Sequence, residues 1–153
     1  MLKPKSSKIP KPTRYQNAAI DYYMGLTNSS YLRYGYWEPL PTVGEELTLT
    51  RLRVAQEAYT AKLLSFIPEG IKTVLDVGCG IGGNAAYLCS CGFIVEGLAP
   101  DALQQERFIQ NTNGQVPFYL TRFEDFHSSN SYDLILSLFC HFPGILNKRT
   151  KRK

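Results

Sequence analysis

The sequence has no apolar run near the ~20 residues that a membrane-spanning helix needs. Its opening stretch, MLKPKSSKIPKPTRYQ, lacks the apolar segment of a secretory signal. Four lysines and three prolines make that stretch read as a disordered lead, and a cytoplasmic protein with no membrane partner is expected. No C-x-x-C pair occurs among Cys79, Cys89, Cys91 and Cys140, and His127 and His141 add no zinc-type spacing, so no metal site is expected. The thiols read as reduced, small apolar residues. No Ser/His/Asp set or carboxylate pair placed for acid–base chemistry stands out.

Strongly basic character is also missing from the body of the chain. The formal net charge is +4, but ten of the 17 basic residues fall in 1–14 and 148–153, leaving seven against all 13 acids between them. A nucleic-acid binder would carry its basic patch on the folded part. These basic ends read as solvated tails, and no nucleic-acid partner is expected. What is present suits one globular domain: 153 residues, 44% hydrophobic and 20% charged.

The order of elements is legible. A tyrosine-dense segment, YQNAAIDYYMGLTNSSYLRYGYWEPLP, holds the only tryptophan and closes on Pro39 and Pro41. Leu47, Val54, Ala58, Ala61 and Leu64 then recur at helical spacing, and Pro68 and Gly70 stop that helix. KTVLDV is a short strand, followed by a glycine turn and a helix through NAAYLCSC to Gly92. FIVEGL is a second strand. Asp101 is placed to cap a helix over ALQQERFIQNTN, ending at Gly114. VPFYLT and YDLILSLF are the third and fourth strands, with Asp133 anchoring the start of the fourth. Strands alternating with helices predict an α/β fold with a parallel sheet.

VLDVGCGIGG, residues 74–83, carries the chemistry. A strand, a glycine turn and a helix N-terminus present backbone N–H groups and the positive end of a helix dipole to a ligand. GCGIGG satisfies the dinucleotide pattern G-x-G-x-x-G. Asp76, two residues before the first glycine, does not suit a pyrophosphate; a carboxylate there suits a cationic ligand bearing an ammonium or sulfonium group.

This stretch resembles motif I of the class I S-adenosylmethionine (SAM)-dependent methyltransferases, with Asp76, Gly78, Gly80 and Gly82 in place around Cys79. The similarity runs through CGFIVEGL, VPFYLTRFEDF and YDLILS, roughly residues 30 to 138. YLRYGYWEP is similar to the tyrosine-rich cap of the small-molecule methyltransferases related to sterol, tocopherol and cyclopropane-forming enzymes. The resemblance implies a Rossmann-like class I sheet with an N-terminal helical and aromatic cap. It implies SAM as cofactor, the glycines admitting its adenosyl and methionine parts, Asp76 ordering the turn and Tyr34 reaching the amino-acid end. A cluster from Tyr34 to Trp37 reads equally as core aromatics.

The family pattern is broken in three places. Counted without gaps, the second strand ends at Ala99, where the family has an acid bonded to the ribose hydroxyls; Asp101 is the better substitute, and Glu96 lies on the wrong strand parity. The adenine acid of the third strand falls at Arg122, so Phe123 would flank the adenine and Glu124 or Asp125 accept from its amine. After the fourth strand only PGILNKRTKRK follows LILSLFCHF, so the sheet reads as incomplete and the chain as C-terminally truncated.

The expected organisation is a basic lead over 1–14, cap helices over 15–70, a partial SAM-binding domain over 71–142 and a basic tail over 143–153. The expected activity is methyl transfer to a small-molecule acceptor, impaired by truncation. A non-catalytic SAM-binding or partner-completed module is the alternative, and a nicotinamide-binding fragment a third. The open sheet predicts self-association, His141 is a candidate base, and no dedicated catalytic residue is assigned.

Overall fold

The computed structural model describes residues 14–138. The basic lead, Cys140, His141 and the tail lie outside the described residues. Helix α1, Arg14–Thr27, is followed by an irregular segment over 28–48 and by α2, Leu49–Leu64. Strand β1, Thr73–Val77, leads through the glycine turn to α3, Gly83–Ser90. Then come β2, Ile94–Ala99; α4, Ala102–Asn111; β3, Phe118–Leu120; a 3-10 turn over Phe123–Asp125; and β4, Leu134–Ser137.

All strand pairs are parallel, and the order across the sheet is β3-β2-β1-β4. β1 is therefore interior, with both faces covered, which is why its sequence is nearly continuously apolar. Val74 and Asp76 point to one face, Leu75 and Val77 to the other. The first face packs on the helices through Ala85, Leu88 and Phe108, with Leu63 and Leu64 of α2 alongside. The second carries a smaller cluster of Leu75, Val77 and Leu98, packed against Tyr119, Phe126 and Tyr132. Ile135 of β4 stays 54% exposed there.

Glu96 belongs to this second face. It accepts from Tyr119 Oη at 3.0 Å, from Asn130 Nδ2 at 3.1 Å and from Tyr132 Oη. That bond and burial push the Tyr119 phenol up to about 12. Asp133 anchors β4 as expected: its carboxylate accepts from the N–H groups of Lys72 and Thr73 and the Thr73 hydroxyl, each at 2.9 Å.

Two local features explain how the sheet and its helices close up. Asp101 caps α4 by accepting from Leu103 N–H at 2.9 Å and Gln104 N–H at 3.0 Å. Gly97 in mid-strand is required by packing: a Cβ there would lie 2.6 Å from the Phe108 ring. Phe108 itself is fully buried, a contribution of roughly 2–3 kcal/mol.

Helix α2 departs from the periodic reading. The spacing of Val54, Ala58 and Ala61 does predict the helix, but that stripe is not its buried face. Val54 is 61% exposed, whereas Gln56 and Thr60 are fully buried. The helix turns its polar side inward because the cap supplies hydrogen-bond partners there.

Candidate functional site

At the C-terminal ends of β1 and β2 the glycine turn opens a cleft of about 290 Å³. Gly78, Gly80 and Gly82 all adopt positive φ, at 74°, 57° and 92°. A side chain on Gly80 would meet no protein atom within 4 Å, so this backbone faces open space within the cleft wall. Gly82 begins α3 with no side-chain cap, leaving the first amides of the helix to a ligand or solvent.

Asp76 stands just behind the turn. It is 1% exposed, and neither carboxylate oxygen has a hydrogen-bond partner. Burial pushes its carboxyl up to about 7, and the positive charge of Arg33 pulls the other way. A buried carboxylate is costly without a donor, and the nearby charge of Arg33 offsets only part of that cost.

Arg33 comes from the irregular cap segment and is also buried. One guanidinium nitrogen donates to Asn84 Oδ1, at the start of α3; the other donates to Gln56 O at 3.1 Å and to Thr60 Oγ1. The guanidinium lies 4.2 Å from the Tyr31 ring centroid and 4.6 Å from that of Tyr59. Burial lowers its pKa, opposed by Tyr31, Tyr59 and Asp76. Its Nε has no partner. Gln56 locks the segment in place by donating to Arg33 O at 2.6 Å, Tyr23 Oη at 3.0 Å and Tyr31 O at 3.3 Å, while its Oε1 accepts from Ser29 at 2.7 Å.

The structure brings together only part of the expected site. Gly78, Cys79 and Gly80 line the cleft, and Ala99, Pro100 and Gln104 close its far side. Gly82 sits at the helix start, packed towards Phe108, and does not line it. Tyr34 is 85% exposed and outside the lining, whereas Tyr31 and Arg33 line the cleft. In a segment without periodicity, nothing in the sequence says which residue faces inward.

Asp101 also lies outside the lining, its Oδ1 engaged as the α4 cap. Gln104, one turn on, enters instead; its place in the first turn of a helix opening at the strand ends was the signal to follow. Glu96 faces away, as strand parity predicts. Phe123, Glu124 and Asp125 form the 3-10 turn beyond β3 and do not line the cleft. Arg33, Gln56 and Asn84 were missed altogether.

Among the described residues no group of three or more His, Cys, Asp or Glu could hold a metal, and no helix is long and apolar enough to cross a membrane. Cys89 and Cys91 are free thiols.

No protein-family model matches the sequence, and no curated protein does. Solved structures do match. A mycolic acid cyclopropane synthase aligns with TM-score 0.59 and 22% identity over 84% of this chain and 46% of that one. Geranyl diphosphate C-methyltransferase from Streptomyces coelicolor A3(2), solved with S-adenosyl-L-homocysteine, aligns with TM-score 0.54 and 20% identity over 76% and 50%. The cyclase SpnF aligns with TM-score 0.56 and 22% identity over 84% and 50%. This chain thus spans about half the length of the structures it matches. Its fold is that of the class I methyltransferases, with a sheet that is not closed among the described residues.

Proposed function

We propose that the cleft binds SAM and its demethylated product, and that the chain is the cofactor-binding part of a small-molecule methyltransferase. The observation that carries this reading is the pair of unpartnered Asp76 oxygens behind a positive-φ glycine turn. A dinucleotide pyrophosphate would meet repulsion there, whereas a ligand with cationic groups relieves a buried charge. Arg33 lines the cleft and would meet the carboxylate of an amino-acid end, while Asp76 lies behind the lining and would act on an ammonium group through the glycine turn.

The residues fit the cofactor unevenly. Gly78 and Gly80 leave room for it, and Asn84 holds Arg33 at the wall. Ala99 accepts no hydrogen bond, so the ribose hydroxyls would turn to the Gln104 amide or to Asp101. Phe123 and Glu124 are proposed for the adenine. When bound, SAM supplies a methyl group on a sulfonium. This chain's residues orient it and exclude water, since in-line displacement gains chiefly from alignment.

A second reading has a specific observation behind it. SpnF carries this fold and is named for a cyclisation, and the present chain spans half of such structures. A SAM-binding module that does not itself transfer a methyl group is the second reading, and self-association through the β4 side, where Ile135 is exposed, would go with it.

Calorimetric titration with SAM, S-adenosylhomocysteine and NAD tests the cofactor. Saturable binding of the two sulfur nucleotides is expected, at least tenfold tighter than NAD. Binding of NAD alone would sink the proposal. Gly80→Ala should weaken the sulfur nucleotides by about tenfold or more while costing roughly 1 kcal/mol of stability for its positive φ. Turnover of labelled SAM with a defined acceptor separates enzyme from module.

A further inference from the structure

A larger cavity, about 710 Å³, lies on the outer side of α2 and shares no lining residue with the glycine cleft. Its floor is the stripe of Val54, Ala58 and Ala61 that the core does not use, and its wall is Tyr36, Trp37 and Pro39. The wall is fixed to the helix. Tyr36 N–H donates to Ala55 O at 2.7 Å, and a Cβ on Gly35 would lie 2.5 Å from the Ala55 backbone. Trp37 Nε1 donates to Tyr34 O at 2.9 Å, which holds the indole in place.

The groove is lined by two acids, Glu38 and Glu45, and two bases, Arg51 and Lys62. Arg51, at the N-terminal end of α2, is paired with Glu45 at 2.7 Å, and Glu38 accepts from the Tyr36 hydroxyl at 2.6 Å. At the C-terminal end, Lys62 has no carboxylate within ion-pair distance among the described residues. Its ammonium lies 5.6 Å from the Tyr36 ring centroid and 5.8 Å from that of Phe66. The volume falls within the roughly 300–1,000 Å³ of small-molecule sites. From the apolar floor, the aromatic wall and the single uncompensated cation, we propose that the groove binds an amphipathic monoanion. The ligand is an alkyl or aryl carboxylic acid, its tail along Val54, Ala58 and Ala61 beside Trp37 and its carboxylate at Lys62.

Trp37 is the only tryptophan, so the intrinsic fluorescence of the full 153-residue chain reports on the groove directly. The probes are 6-phenylhexanoate and its neutral counterpart 6-phenylhexanol. A saturable change is expected, with the acid about tenfold tighter than the alcohol. Lys62→Met, at an exposed position, should bring the acid down to the affinity of the alcohol, and Ala58→Phe should abolish binding of both. No saturable response to the acid up to about 1 mM in a chain with native circular dichroism would overturn the proposal. So would an acid preference that survives Lys62→Met. A Trp37 change that follows protein concentration without probe, with doubled mass by light scattering, would assign the groove to a second copy of the chain and refute it equally.

Discussion

The sheet and the cap are held together by different physics. The sheet side of the molecule buries Val74, Leu88, Phe108 and their neighbours, side chains that need only volume and an apolar surround. The cap buries Arg33, Gln56, Thr60 and Thr27, each of which must meet a partner at a particular distance and angle. The sheet is thus tolerant of shape-preserving exchange and intolerant of lost bulk. The cap does not tolerate even a shape-preserving exchange that removes a hydrogen-bond partner. Where they meet, at Asn84 and Asp76, the cleft inherits its polar groups from the cap and its rigidity from the sheet.

The largest effect should come from bulk lost on the sheet side. Phe108→Ala removes a fully buried ring packed edge-on to Phe118 and should cost about 4 kcal/mol in urea unfolding. A cost under about 1 kcal/mol would show that α4 is not part of the cooperative core.

Next is an exchange of nearly equal volume on each side. Gln56→Met should cost roughly 3 kcal/mol, because it strips hydrogen-bond partners from Ser29, Tyr31 and Arg33. Leu88→Met, equally buried, should cost about 1 kcal/mol. Equal costs in the two variants would erase the distinction between the regions.

An effect of similar size appears where they join. The Asp76 carboxyl is raised to about 7 in the folded chain, against an ordinary value of 3.8. Between those pH values the unfolded chain has released a proton that the folded chain still holds. Stability from this group is therefore full below about pH 4 and lost as pH rises towards 7. Asp76→Asn has no such titration. The variant should gain on wild type by on the order of 3 kcal/mol between pH 4 and pH 7, measured without ligand by denaturant midpoints. An unchanged difference across that range would mean that Asp76 is not desolvated.

The smallest effect is expected on the outside of α2. Val54→Ser, at an exposed site, should change stability by less than about 0.5 kcal/mol. A substantially larger loss would place Val54 in the core after all.

These contrasts also explain what could be read before the fold was known. The strands, the helices on the sheet, the Asp101 cap and the glycine turn follow from periodicity and local chemistry, which act over a few residues. Arg33 could not be found that way. It lies between tyrosines in an irregular segment, and its partners Gln56, Thr60 and Asn84 are 23 to 51 residues away. Gln56 and Thr60 sit four apart opposite an apolar stripe, the pattern of an ordinary solvated helix face. Only a buried arginine on the other side makes that face internal. The same reasoning explains Tyr34, since resemblance fixes the segment but not which of its residues turns inward.

The position of β1 between β2 and β4 has a consequence for synthesis. Its first neighbour follows after one helix, but the other begins at Asp133, which bonds to Thr73 across 60 residues of chain. At about 5–20 residues per second, a ribosome takes several seconds to deliver that second neighbour. Throughout that interval Val74 and Leu75 border an open strand edge. The three Asp133 contacts lie just before β4 in the chain, so they are available to fix its register as Leu134 and Leu136 follow. A nascent chain stalled before residue 133 should thus be captured by chaperones or proteolysed, and one stalled with β4 fully emerged should resist.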